Sequence, residues 1–355
     1  HGGTKPFALD FSAFWAAAHL AAAGHPARAY DNAIIEATER AATNMPPGYL
    51  AFYYPPIFLL LILPLGYLSY SAALVVFLSA EMALLLALLR RFLPQGWAWL
   101  PLLGWPGFLM NGLSGQNAPL SASCFAAAAI WLETRPVLAG CCLGALACKP
   151  QLAACVPVAL LAARRWRALL ACGLSAAAYA AVSWLALGGG AWRGFLANAP
   201  NARADIDSIA IKWPKLQSAF GLIRMAGGGA QAAYAVQAVV SLAALAGLVW
   251  VAARRPGARM EASCMVLAAL LFTPFLYDYD LLLLCVPMAC LMAAAQRGGF
   301  RPWEKLGLAA LYGLPLLARP GGLLLGIIIG PPLVAACFLL FGRRVGAVRQ
   351  ARVMA

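Results

Sequence analysis

An all-α, polytopic transmembrane helix bundle is the fold class this sequence predicts, and three observations carry the prediction. Of 355 residues, 63% are hydrophobic and 11% charged, whereas a soluble domain carries about 25% charged residues. Mean hydropathy is +0.79. Apolar runs of roughly 15 to 22 residues recur along the chain, close to the length that crosses a bilayer. In hydrocarbon every backbone donor and acceptor must find an internal partner, which leaves helices or closed barrels. The runs lack the period-two alternation of barrel strands, so they read as helices.

The net charge of +14 does not point to nucleic acid. The basic residues fall in short clusters between apolar runs: Arg164, Arg165 and Arg167; Arg254, Arg255 and Arg259; Arg297, Arg301 and Lys305; Arg343, Arg344, Arg349 and Arg352. Cytoplasmic loops of membrane proteins are enriched in this way. The ten cysteines lie almost all within apolar runs and form no CxxC pair, so they read as small packing residues. His1, His19 and His25 form no metal-ligand pattern. No tightly bound cofactor or zinc site is expected, and nothing indicates a divalent metal.

The chain reads as one integral membrane domain over 1–355. Residues 1–50 form an outer loop, 51–187 a first set of helices, 188–233 a second outer loop, 234–342 a second set of helices, and 343–355 a basic cytoplasmic tail. The opening HGGTKPFALD has neither an initiator methionine nor a signal peptide, so the natural chain is expected to begin earlier. Residues 10–45 carry too many charges to cross hydrocarbon. They read instead as two amphipathic interfacial helices: one from Phe11, with Phe14, Trp15 and Ala18 on its apolar face, ended by Gly24 and Pro26, and one capped by Asp31. Between 54 and 91 two apolar runs separate an outer segment from the inner pair Arg90 and Arg91, which one crossing too many would contradict. Pro64 and Gly66 mark a broken or re-entrant helix there, or the arginines are exceptions to the charge rule.

Further on, the run from 136 to 163 is interrupted by Lys149 and Pro150. Proline removes a backbone donor and disfavours helix at the residue before it, so two short helices should meet at the outer side. Crossings then follow at about 168–187, 234–253, 262–276, 281–296, 306–318 and 322–342, with Arg319 between the last two. Polar residues collect at the outer side rather than mid-span, where ion-coupled transporters keep theirs. They are Asp10, the stretch from Phe52 through Tyr53 and Tyr54 to Pro56, Gln116 and Asn117, Lys149 and Gln151, the loop with Asp205, Asp207, Lys212 and Lys215, and Tyr277, Asp278, Tyr279 and Asp280.

The order of these pieces resembles glycosyltransferase family 87, within the C-superfamily of polytopic glycosyltransferases. The resemblance spans nearly the whole chain. It rests on Asp10-Phe11 running to Trp15-Ala16-Ala17, Tyr54-Pro55-Pro56 with Pro64-Leu65, and Gly115-Gln116-Asn117. It continues through Lys149-Pro150-Gln151 with Arg164-Arg165-Trp166-Arg167, and Thr273-Pro274-Phe275 running into Tyr279-Asp280. Each piece alone is weak; their order and spacing are specific. The resemblance implies transfer of a hexose, typically mannose, from a polyprenyl-phosphate donor to a lipid or glycan acceptor at the outer face of the plasma membrane. Membrane lipids are then partners and nucleic acid is not.

In that family Asp10 matches the catalytic base; read from sequence alone, it is equally an N-cap for the helix starting at Phe11. Lys149 reads as a cation for the donor phosphate or as a snorkelling lysine. Gln116 and Asn117 suit sugar hydroxyls or a helix end. Asp278 and Asp280 suit substrate or the dipole of a helix start, with capping favoured for Asp278. Tyr54, Gln151 and Tyr277 complete the expected substrate-binding set. Some family members carry histidine near Tyr277, and its absence here puts a histidine-assisted phosphate site in doubt. The crossing that normally precedes the acidic loop is not in this sequence. Two other function classes remain open at this point: a secondary transporter or flippase, marked by inverted repeats and mid-span charges, and a non-catalytic assembly subunit without a polar cleft.

Overall fold

The computed structural model describes residues 9–43, 50–92, 103–208 and 210–354. His1 and the side chains of Lys212, Arg349 and Arg352 lie outside the described residues. Every regular element among those described is helical, and an isolated antiparallel bridge joins Leu216 to Tyr277. Among the described residues five helices are long and apolar enough to cross a membrane: Tyr70–Leu89, Trp166–Ser208, Ala230–Ala252, Asp278–Gly298 and Glu304–Leu325.

The axis of the bundle is the pair formed by Ala258–Phe272 and the stretch from Asp278 to Gly298. Every residue from Glu261 to Leu271 is buried in the first, and every residue from Asp278 to Leu291 in the second. The other long helices surround this pair and turn leucines and valines outward, among them Leu174, Leu185, Val239, Leu242 and Leu324. Such exposure is ordinary when the solvent is lipid, since hydrocarbon is as apolar as leucine. Close approach elsewhere depends on small residues. Gly140 and Gly144, one turn apart, press on Ala168, Cys172 and Ser175; a Cβ on Gly140 would stand 2.4 Å from the Ala168 carbonyl oxygen.

The uncertainty over residues 54–91 resolves into one crossing. Pro56–Ile62 is a seven-residue helix running into a 3-10 turn at Leu63–Tyr67, a length of roughly 20 Å that falls short of the hydrocarbon core. The turn packs on the first helix so tightly that a Cβ on Gly66 would stand 2.2 Å from Ala18 O. Trp15 Nε1 donates to Leu68 O at 3.0 Å, fixing the same junction. Tyr70–Leu89 alone then leads to Arg90 and Arg91.

Several boundaries differ from the sequence expectation. Phe11–Ala22 is buried on most of its circumference rather than along one stripe, because it is covered by the 3-10 turns at Pro26–Tyr30 and Leu63–Tyr67 and by three other helices. Asn32–Thr43 does have a narrow buried face, at Ile35 and Glu39, and Asp31 Oδ1 accepts from Ala33 N and Ile34 N at its start. The segment 188–233 is helical rather than a loop: Trp166–Ser208 breaks only at Gly188 (φ 76°, ψ 161°), followed by Ala210–Lys215 and Ala219–Met225. Its part beyond Gly188 lies against Tyr30, with Phe195 and Tyr30 ring centroids 6.1 Å apart. Arg319 is inside Glu304–Leu325 instead of between two helices; the chain turns at Gly326, whose φ of 67° suits glycine. Helix Ala258–Phe272 stops before 276 because Pro274 holds Thr273 extended (φ −95°, ψ 137°).

The two ends of the bundle differ in chemistry. At one end Arg165 reaches Glu261 (2.8 Å) and Glu133 (3.4 Å), Arg259 lies over the Phe92 ring, and Arg344 pairs with Glu304. At the other end the chain segments around residues 10, 54, 116, 149, 205 and 278 converge.

Candidate active site

Asp10 sits just before the Phe11–Ala22 helix, and its backbone N–H donates to Ser114 O at 3.1 Å. Its side chain makes no capping bond. Oδ2 instead accepts from Gln116 Nε2 at 3.1 Å. Gln116 in turn accepts from Tyr54 OH at 3.1 Å, with Asn117 Oδ1 offering that hydroxyl an alternative acceptor at 3.3 Å. The turn that presents Gln116 and Asn117 follows from Gly115, in the left-handed region (φ 72°), which ends Pro106–Ser114 and lets Ala118–Trp131 begin three residues later. Burial raises the Asp10 carboxyl above the ordinary carboxylate value, while the Lys215 cation and the Gln116 hydrogen bond pull it back down.

The Lys149–Pro150 break behaves as the dipeptide demands. Pro136–Gly144 and its 3-10 extension to Cys148 end there, Lys149 leaves the helical region (φ −129°, ψ 75°), and helix resumes at Pro150. Lys149 does not snorkel to solvent. It is 1% exposed, and Nζ lies 2.7 Å from Asp280 Oδ1. Its ammonium is 5.9 Å from the Tyr54 ring centroid and 5.4 Å from that of Tyr279. Asp280 accepts weakly from Tyr277 N (3.4 Å) through its other oxygen, so the start of this 3-10 helix is capped by Asp280. Asp278, the residue for which capping was favoured, accepts from Tyr279 N (3.0 Å) in the same first turn and is also held by Arg319, with Nε 2.5 Å from Oδ2 and Nη2 3.2 Å from Oδ1.

Asp10, Tyr54, Gln116, Lys149, Gln151, Tyr277 and Asp280 all line one cavity of about 390 Å³. Asn117 stands behind it through Tyr54, and Asp278 behind it through its neighbours in the chain. Of the nine expected site residues, Asp10 included, seven therefore face the cavity and two support residues that do. The far wall comes from the helical segment beyond Gly188 and the turn after it, with Phe195, Asn198, Asp205 and Lys215. Tyr53 joins the two walls by donating to Asp205 Oδ2 at 3.0 Å. Tyr53 and Tyr54 are thus both parts of the cavity wall.

Two features escaped sequence reasoning. Arg319 looked like a loop charge because it interrupts an apolar run, and its partner is 41 positions away. Glu81 corrects the expectation that polar residues avoid the mid-span. It is buried in the middle of Tyr70–Leu89, where Asn111 Nδ2 donates to Oε1 at 3.4 Å. A lone acid in a 20-residue apolar run was a visible signal. Among the described residues no group of three or more His, Cys, Asp or Glu side chains is arranged to hold a metal ion.

The arrangement suits proton abstraction from a hydroxyl beside a charged, partly aromatic cavity. No curated protein and no solved structure matches the chain. A family match does exist, to glycosyltransferase family 87 over residues 52–274. It takes in Tyr54, Gln116, Asn117, Lys149, Gln151 and Lys215 and leaves Asp10, Asp278 and Asp280 outside. Because that match covers more than half of an all-helical, membrane-spanning chain, this protein belongs to glycosyltransferase family 87 and is a membrane glycosyltransferase.

Proposed function

We propose that this glycosyltransferase moves a hexose, mannose in the first instance, from a polyprenyl-phosphate donor to a lipid or glycan acceptor at the outer face of the plasma membrane. The observation that carries the reading is Asp10: a carboxylate free of capping duty, oriented by Gln116, in the wall of a cavity at the end of the bundle opposite the arginine clusters. The positive-inside rule supports a cytoplasmic arginine end and, with it, a cavity on the outer side. The family membership supports the transfer reaction, and the all-helical fold supports a donor that already resides in lipid. A nucleotide donor's usual crevice, at the carboxyl ends of parallel strands, has no counterpart among the described residues.

In the proposed reaction Asp10 takes the proton from the acceptor hydroxyl. The hydroxyl oxygen forms a bond to the anomeric carbon as that carbon's bond to the phosphate oxygen breaks, and the electron pair leaves with the phosphate. Phosphate departs without protonation, so one base is enough and the anomeric configuration inverts. Lys149 with Asp280, and Gln151 beside them, shape the cavity on the bundle side; Tyr54 and Gln116 hold Asp10 in register.

The test is transfer by the purified full chain in proteoliposomes, supplied either with polyprenyl-phosphate mannose or with the nucleotide-activated sugar, with the product linkage assigned by NMR. Transfer from the lipid donor alone, with inversion, is expected. Transfer from the nucleotide sugar alone, or retention of configuration, would sink the proposal.

A further inference from the structure

A leaving phosphate needs a cation whose charge is not already cancelled. As the glycosidic bond breaks, a singly charged phosphodiester becomes a phosphomonoester carrying close to two negative charges, and stabilising that growing charge is the main electrostatic demand of the reaction. Among cations with described side chains, Lys149 and Lys215 line the cavity and Arg319 stands near enough to act on Asp10. Lys149 is committed: its ammonium is sealed from solvent against Asp280. Arg319 is committed too, bidentate on Asp278. Lys215 differs. It is partly exposed in the cavity wall, and among the described residues it forms no ion pair or side-chain hydrogen bond.

The fold holds Lys215 in place although it carries no such bond itself. It is the last residue of the 3-10 turn Ala210–Lys215, and the next residue, Leu216, forms the antiparallel bridge to Tyr277. Gln217 N donates to Leu276 O at 2.8 Å, and Gln217 Nε2 donates to Ala318 O at 3.2 Å. Pro214 is wedged against Gly322, where a Cβ would stand 2.9 Å from the proline Cα. A buried, hydrogen-bonded strap therefore carries one uncommitted ammonium to the rim of the cavity. Fixing an unpaired lysine so firmly serves no packing purpose of the lysine itself.

We infer that Lys215 is the cation that receives the phosphate of the lipid donor and the developing charge of the polyprenyl phosphate that leaves. Lys149 then acts as a neutral, ion-paired wall. The inference rests on the lipid-phosphate reading of the donor. It also gives Lys215 a second effect, because its charge is the largest that favours the ionised form of Asp10, ahead of Arg319 and opposed by Asp278. When phosphate neutralises Lys215, Asp10 becomes a stronger base, so donor binding and base strength are linked.

The experiment measures binding of three probes to the detergent-solubilised full chain: polyprenyl phosphate, the uncharged polyprenol of equal length, and inorganic phosphate. Lys215→Ala and Lys215→Gln are expected to weaken polyprenyl phosphate binding by about tenfold or more, with polyprenol binding kept within about twofold. In activity assays the same variants should move the acid limb of kcat/KM, governed by free Asp10, upward in pH toward that of kcat. Unchanged polyprenyl phosphate binding in both variants overturns the inference, as does equal loss of phosphate lipid and polyprenol, which marks a merely structural lysine. Inorganic phosphate binding as tightly as the lipid overturns the lipid assignment of the site. Failure of the unaltered chain to bind polyprenyl phosphate overturns the donor reading itself, a result distinct from the others.

Discussion

Lys149 Nζ and Asp280 Oδ1 meet at 2.7 Å with both side chains almost fully buried, joining the break at Lys149–Pro150 to the start of the central helix across 131 positions of sequence. A pair of this kind is weak evidence of net stabilisation, because removing two charges from water costs as much as their attraction returns. Breaking it is another matter. Lys149→Met leaves Asp280 ionised and unpaired, and is expected to cost about 3–5 kcal/mol. The double change Lys149→Met with Asp280→Leu should recover most of that loss. Thermal unfolding in detergent checks both, and equal Tm values for the single and double variants would contradict the account.

Asp10→Asn tests the base. The amide keeps size and a hydrogen bond to Gln116 while it cannot take a proton. Turnover should fall by about 10²–10⁴-fold, with membrane insertion and donor binding retained. A fully active Asn variant would end the assignment of Asp10.

The pH dependence has a definite sign. Burial raises the Asp10 carboxyl, so the active, ionised form is lost at a higher pH than for an ordinary carboxylate as acid is added. The acid limb of kcat/KM should therefore lie above the usual carboxylate range. Gln116→Leu removes a hydrogen bond that favours the ionised form and should move this limb further up. Tyr54→Phe, which leaves the Gln116 amide free to turn, should lower kcat by about tenfold, the loss of one orienting hydrogen bond. A limb that does not respond to Gln116→Leu would show that Asp10 is not what titrates.

Glu39 offers a stability test independent of catalysis. Buried under the Asn32–Thr43 helix, it accepts from Ser12 Oγ and from Leu50 N, both at 3.1 Å. Burial pushes its carboxyl up to about 7, against those two hydrogen bonds. The folded state therefore holds a proton that the unfolded state releases from about pH 4.5 upward. Stability from this group is full below the unfolded value, falls as pH rises between about 4.5 and 7, and is lowest above 7. Glu39→Gln should flatten that slope in unfolding experiments from pH 5 to 8. An unchanged slope would exclude Glu39 as its source.

Much of the site was legible in advance because backbone chemistry is local. Pro150 after Lys149 dictates a break wherever it stands, Gly115 before Gln116 and Asn117 dictates a turn, and both place polar side chains at the end of a crossing. Pro64 and Gly66 likewise marked the short element that does not cross. Asp278 and Asp280 were less legible. Both sit in the first turn of a helix and accept from backbone N–H groups there, and which cation each one pairs with depends on where Lys149 and Arg319 arrive from.

Composition, apolar run length and the spacing of arginines by themselves determined that this is a helical membrane protein, and which chain breaks gather polar residues at one end. Those properties need only the cost of burying an unpaired peptide group or an unpaired charge in hydrocarbon, which each residue carries with it. The tertiary structure alone decided which lysine is neutralised and which is not, that Asp10 faces a cavity instead of capping its helix, and that the stretch from Phe195 to Asp205, with Lys215, closes the far wall. These outcomes depend on distances between residues 41 to 152 positions apart, and pairing across such separations is set by how helices pack, which no local pattern records.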